Sequence, residues 1–383
     1  MKLKLTKEIY FILVVGVAIL VMLFLPTGYE NPQLTKNVLY EKAEVVEVDN
    51  HDLSSISVVT LGTQDLRLVF LSGAFKGDTV QSKNVLLGDK RQDKIFELGD
   101  RVLSVSLVDD SHSRILECRA EEFYRQDLEF FLIAAFILFL VIVAGKTGLK
   151  AALSFVFTAL VFWKLLLPAL LGGYSPLLVS IGVVFITTFV IILLVGGVSR
   201  KGFVALSGAM LGVLVTAILA LIFGYYFKIP GTIQEYSDAL LYSGFADLNF
   251  SEMFISCIFI SSAGAVMDVA MDIAAAQDEL HRNAPHLSRR GLIRSGLNIA
   301  SPVIGSMTTT LLFAYSGSFM FAFMAFMAQG VPMESIVNRG FISSEILHTM
   351  VGSFGLVLVA PITAVLGGYI YKSSKFGGAR VGE

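Results

Sequence analysis

From Phe130 onward the chain is a succession of apolar stretches, each closed by a short polar or glycine-rich loop. They run Phe130–Ala144, Ala151–Leu171, Leu177–Val195, Phe203–Phe227, Met253–Met271, Leu297–Met327 and Ile346–Tyr371. A helix needs about 20 apolar residues to cross a bilayer, and in hydrocarbon every backbone polar group must be satisfied within its own segment. An earlier stretch, Tyr10–Leu25, follows Lys2, Lys4 and Lys7 and continues as PTGYENPQ, with no small-x-small cleavage site. It reads as an uncleaved anchor. The expected fold is therefore an α-helical polytopic membrane protein of about eight spans.

Charge sets the expected orientation. Lys146 and Lys150, Arg200 and Lys201, Arg282 through Arg294, and Lys372 through Arg380 fall on one side of this count, whereas Lys228 and Arg339 fall on the other. By the positive-inside rule both termini are cytoplasmic. The expected domains are an anchor over 1–26, a β-rich extracytoplasmic domain over 27–127, a seven-span core over 128–372 with a cytoplasmic elbow at 273–295, and a tail over 373–383.

Only 16% of the 383 residues are charged, against 55% hydrophobic, and many of the charges lie between Thr27 and Asp127. There Leu103, Val105 and Leu107 alternate with Val102, Ser104 and Ser106, and Leu116, Cys118 and Ala120 continue the period of two. Gly77-Asp78, Gly88-Asp89 and Gly99-Asp100 supply turn chemistry. About five strands in such a length fit a small barrel of the OB-like type, either a plain β-module or a partner-docking surface.

Several function classes are excluded or left without support. No basic tract with interleaved aromatics points to nucleic acid. Gly145-Lys146 lacks the glycine five residues earlier that a P-loop requires, Leu140 standing there instead. His51, His112, His281, His286 and His348 form no metal-type motif, and no nucleophile elbow occurs. Neither cofactor nor metal is expected, and nothing argues for an enzyme. Cys118 and Cys257 fall in different compartments, which disfavours a disulfide.

Polar residues inside the spans carry what functional signal there is. Asp268 and Asp272 are four residues apart and share a helix face, flanked by the small Ala263–Ala265 and Ala274–Ala276 runs that permit close helix approach. A carboxylate at membrane depth is a functional-site hypothesis; the alternative is a buried acid pairing with a neighbouring helix. Lys164 lies mid-span, too deep to snorkel easily, as a counter-ion for Asp268 or Glu345 or as a contact for an anion. Asn298, Ser301, Ser306, Thr308, Thr309 and Thr310 crowd one span around Pro302 and Gly305. Broken helices make transporter sites, while hydroxyls also stitch helix interfaces. The expected pathway runs from Asp268 and Asp272 past Asn298, Ser306 and Thr308–Thr310 to Glu345 and Arg339 at the outer mouth.

Three stretches, AGAVMDVAMDIAAA (Ala263–Ala276), SGLNIASPVIGSMTTTLLFAYSGS (Ser295–Ser318) and NRGFISSEILHTMVGSFGLVLVAPITAVLGG (Asn338–Gly368), together with Pro285 and Leu287 of the elbow, make the chain resemble the YibE/F-like family of bacterial multi-pass membrane proteins. The resemblance covers about Leu128 to Tyr371. It implies a bacterial plasma membrane and a homo-oligomer or a complex with a shorter relative, but it supplies no reaction. The reading that follows is a secondary transporter or permease for a small solute or ion; the alternative is a non-transporting scaffold or regulatory subunit that recruits partners through the outer β-domain.

Overall fold

The structure, a computed structural model, describes residues 2–29 and 37–372. The expected tail at 373–383 lies outside the described residues, as do the basic residues beyond Lys372. Two compact units divide the chain: Tyr29–Phe139, and Met1–Gly28 with Leu140–Glu383.

The first unit holds six antiparallel strands: β1 Val38–Asp49, β2 Leu53–Ile56, β3 Val59–Phe70, β4 Thr79–Leu87, β5 Arg101–Val108 and β6 Ile115–Phe123. The sheet order is β2-β3-β1-β5-β6, with β4 on the other edge of β3. Its two ends curl towards each other, because the Ala120 amide on β6 donates to Ser82 Oγ on β4 at 3.0 Å. A bulge between Val45 and Glu47 supplies the local bend that such curling needs. Gly77, Gly88 and Gly99 sit at φ of 92°, 83° and 91°, so the three glycine-aspartate pairs do make turns. The enclosed core gathers Ala43, Val45, Leu66, Leu68, Phe70, Phe96, Val102, Cys118 and Ala120. On β5 the inward phase is Val102, Ser104, Ser106 and Val108, while Leu107 faces out.

The second unit is helical: α1 Lys2–Phe24, α2 Gln126–Val161 (which begins in the first unit), a π-turn at Phe162–Leu166, then α3 Leu167–Leu171, α4 Pro176–Val195, α5 Arg200–Phe227, α6 Ser237–Tyr242, α7 Phe250–Asn283, α8 Arg289–Ala328, α9 Met333–Val337 and α10 Gly340–Tyr371. Among the described residues, six helical stretches are long and apolar enough to cross a membrane, and Glu8–Phe24 and Phe319–Ala328 are shorter apolar helices. The 46-residue stretch Gln126–Leu171 would be about 69 Å long if straight, but it breaks at Gly145 (φ 56°, ψ −128°). There the chain bends so sharply that the Leu140 carbonyl oxygen lies 2.1 Å from where a Gly148 Cβ would stand. The glycines of GKTG serve a bend.

Local chemistry sets the helix ends. Asn249 Oδ1 accepts from the Glu252 amide at 3.1 Å and Ser288 Oγ from the Gly291 amide at 3.1 Å, standard N-caps. The elbow is therefore non-helical only over 284–288. Packing rests on small residues: a Cβ on Gly208 would meet Thr363, one on Gly212 would meet Val266 and Val359, and one on Gly355 would meet Thr216 Oγ1 at 1.9 Å. Gly208 and Gly212 form a small-xxx-small pair that lets α5 approach α10 and α7 closely. Val15, Ile19 and Met22 of α1 pack with Phe157, Val161, Leu170, Val183 and Val190.

Candidate functional site

One face of α7 is packed less tightly than the rest of the helix. Cys257, Ser261, Gly264, Asp268 and Asp272 are all exposed, and at 100° per residue they fall within an arc of about 80°. The opposite face, Phe259, Val266, Val269, Ala270, Ile273 and Ala274, is buried in the helical core. The sequence thus divides α7 into an apolar packed side and a polar free side.

Neither Asp268 nor Asp272 has an ion-pair or hydrogen-bond partner among the described residues. Asp272 lines a cavity of about 110 Å³ with Lys201, Gly196, Gly202 and Met271, where α4 ends and α5 begins. Lys164 sits half-buried in the π-turn and pairs with neither Asp268 nor Glu345 among the described residues. A single π-turn in an α-helix marks many functional sites; here it carries Lys164.

Above the aspartates, towards the N-terminus of α7, a second polar cluster joins three helices. His348 Nε2 on α10 hydrogen-bonds Ser261 Oγ on α7, and the Tyr315 ring on α8 lies 4.6 Å from the His348 ring. Glu345, three residues before His348 on α10, shares its helix face. Glu345 is half-buried, with no ion-pair or hydrogen-bond partner among the described residues. His348, Tyr315 and Ser261 were missed by motif reasoning; the usable signal was Glu345 and His348 three residues apart on one helix face inside a span. Gly264, with open space where a Cβ would be, separates this cluster from Asp268 along the same stripe.

The threonine-rich helix α8 is exposed over much of its circumference, Leu297, Leu312 and Phe313 included. Leu292, Gly296, Ala300 and Leu311 pack inward, whereas Asn298, Ser301, Gly305, Thr309 and Ser316 are exposed along one stripe. Ser306 and Thr310 are exposed on a different flank, and Thr308 turns towards the packed side. The hydroxyls are satisfied within their own helix: Ser306 donates to the Val303 carbonyl, Thr308 to Ile304, Thr309 to Gly305 and Thr310 to Ser306, at 2.8–3.3 Å. They do not stitch α8 to its neighbours. Arg339 precedes the first residue of α10, and its guanidinium lies 4.6 Å over the Phe326 ring.

The fold is that of a helical membrane protein with an appended β domain, whose long apolar helices hold acids without an ion-pair partner among the described residues. The YibE/F-like protein family matches residues 132–373, and the chain belongs to that family. No curated protein matches the chain, nor does any solved structure.

Proposed function

We propose that the protein is a secondary transporter or permease that moves a small solute or ion along the polar stripe of α7, without bound nucleotide or cofactor. The observation that supports this most is Asp268: a carboxylate in a long apolar helix, exposed and without an ion-pair or hydrogen-bond partner among the described residues. Placing an aspartate at a helix centre costs about 2.5 to 3.5 kcal/mol, and a chain keeps such a group where it meets water, a cation or a proton. Asp272 stands beside it at the cavity shared with Lys201, and the Ser261–Tyr315–His348 cluster with Glu345 continues the stripe one and a half to two turns further. Asp268 takes a cation or proton, and Glu345 stands nearer the other mouth.

The location that fits is the bacterial plasma membrane, with the elbow and its flanking Arg282, Arg289, Arg290 and Arg294, Arg200 and Lys201 in the cytoplasm and residues 27–127 outside. The approach of β4 and β6 at Ser82 and Ala120 favours reading the β domain as a small OB-like barrel that caps the pathway or docks a partner. The lipid bilayer is the protein's medium, and nothing marks it as an enzyme or as a ligand of nucleic acid.

A second reading has its own observation. The β domain carries an open groove of about 610 Å³ lined by Glu47, Asp49, Asp65, Arg67 and Lys83, and the α8 hydroxyls are satisfied without any solute. A scaffold or regulatory subunit, paired with itself or with a shorter relative, would use that groove. Charge movement in proteoliposomes on a solid-supported membrane separates the readings. The permease gives a current on a pH step or a cation, anion or amino-acid pulse; the scaffold gives none while its β domain retains a partner from the same membrane.

A further inference from the structure

The chain leaves α5 abruptly. Lys228 stands in the left-handed region at φ 50°, and the residues after it turn back against the start of α7. They approach so closely that a Cβ on Gly231 would stand 1.8 Å from the Phe250 carbonyl oxygen. The return leaves a pocket of about 520 Å³ between the two helices, walled by Leu221, Pro230, Phe254 and Ile255, with Lys228 and Ser251 also in its lining. That volume suits a bound small molecule, for which pockets run from roughly 300 to 1,000 Å³. Leu221 lies seven residues before Lys228, about 10 Å along α5 at ~1.5 Å per residue. The pocket therefore has a polar end and an apolar length, and none of its described lining residues is acidic.

We propose that this pocket binds one glycerophospholipid, with an acyl chain lying against the apolar walls between α5 and α7 and the phosphate on Lys228. Depth favours this occupant. Both helices are long and apolar enough to cross a membrane, and the pocket stands at the ends that lie away from the elbow, where headgroups meet hydrocarbon. Tyr225, which also lines it, and Tyr226 are 79% and 72% exposed, and tyrosines gather at that interface. Charge favours it too. Lys228 is exposed, without an ion-pair or hydrogen-bond partner among the described residues. The acid next to Ser251, Glu252, accepts from Ser175 Oγ on α4 at 3.3 Å. Of the two basic residues in the loops opposite the elbow, Arg339 lies over the Phe326 ring, which leaves Lys228 for an outside anion. A free anion would leave the apolar walls without a partner, and a plain hydrocarbon would leave Lys228 without one. A phospholipid satisfies both, and the proposal does not rest on the permease reading.

Native mass spectrometry of the full-length protein in mild detergent tests this. Delipidated protein is titrated with phosphatidylglycerol, with diacylglycerol of the same chains, and with inorganic phosphate. The expected result is one phosphatidylglycerol adduct per chain that outlasts all others as collision energy rises. Lys228→Asn, whose short side chain tolerates the left-handed backbone, weakens it about fivefold, the weight of one lysine near a membrane surface. Leu221→Trp, which fills the pocket, removes it. Lys146→Asn, at an exposed lysine beside the Gly145 bend, leaves it unchanged. Diacylglycerol binds no better than phosphatidylglycerol does to Lys228→Asn, and phosphate alone gives no adduct. An adduct of full strength in Lys228→Asn, equal binding of diacylglycerol, binding of phosphate alone, or no adduct that outlasts the rest overturns the proposal. None of these readouts involves transport, so failure here leaves the permease reading standing, and a silent transport assay leaves the lipid site standing.

Discussion

The side-chain amide of Gln277 donates to the Ala364 carbonyl at 2.9 Å as well as to Leu292, and so ties α7, α8 and α10 together where they approach the elbow. Gln277 is fully buried, and Gly296 and Gly367 make its room: a Cβ on Gly367 would stand 1.9 Å from Gln277 Oε1. This clamp holds the free stripes of α7 and α8 side by side at a fixed register.

Gly367→Ala is therefore expected to displace an amide already pinned by two hydrogen bonds, with a cost of about 1–3 kcal/mol from overpacking. Gln277→Leu, which loses the bonds but keeps much of the volume, costs less, about 1 kcal/mol. Thermal unfolding in detergent checks the order; equal stability of Gly367→Ala and wild type contradicts the clamp.

Gly355→Val is predicted to be worse than either. Its Cβ would meet Thr216 Oγ1 and Cβ on a well-packed face, where Thr216 is itself fully buried and bonded to the Gly212 carbonyl at 2.8 Å. The helix pair has no slack, so overpacking of about 3 kcal/mol or more is expected. Protein yield in membranes and melting temperature both report it.

Much of this was legible in the sequence for a stated reason. Long apolar helices follow from apolar length, turns from glycine-aspartate pairs, and the shared face of Asp268 and Asp272 from their spacing of four. What stayed hidden depends on residues far apart in the chain. The Ser261–His348 bond joins positions 87 apart, and nothing local to either announces the other. The inward phase of β5 was hidden because Ser104 is satisfied by the Glu41 carbonyl at 2.9 Å, a partner on another strand that makes a serine acceptable in the core. The crowding of Thr308–Thr310 was visible, but not that each hydroxyl returns to its own helix.

His348→Ala separates structure from function. Ser261 Oγ retains the Cys257 and Ile258 carbonyls of its own helix at 2.8 and 3.0 Å, so the loss in stability is about 1 kcal/mol or less. On the permease reading, charge movement falls several-fold and its pH profile shifts. A variant with wild-type transport at every pH removes the cluster from the pathway.

The β domain carries its own acid-sensitive turn. Asp109 accepts hydrogen bonds from the Ser111 hydroxyl and from the Ser113 and Arg114 amides at 2.7–3.1 Å, and these hold its carboxyl down at about 2. A depressed carboxyl stabilises the turn above its ordinary value near 3.8 and loses that contribution as pH falls towards 2. Hydrogen exchange of residues 110–114 in the full-length protein, corrected for intrinsic rates, should show protection lost between pH 4 and 2. Asp109→Asn should lack that transition; an unchanged transition in the variant contradicts the assignment.

The most direct test of the central claim is charge movement through proteoliposomes containing wild type or Asp268→Asn, at matched reconstitution and with melting temperatures compared. The replacement keeps the shape and removes the charge from a side chain with no ion-pair or hydrogen-bond partner among the described residues, so folding is expected to be unaffected or improved. The account predicts a current in wild type, on a pH step or a cation pulse, that falls at least tenfold in Asp268→Asn. A wild-type current that persists undiminished in the variant contradicts it.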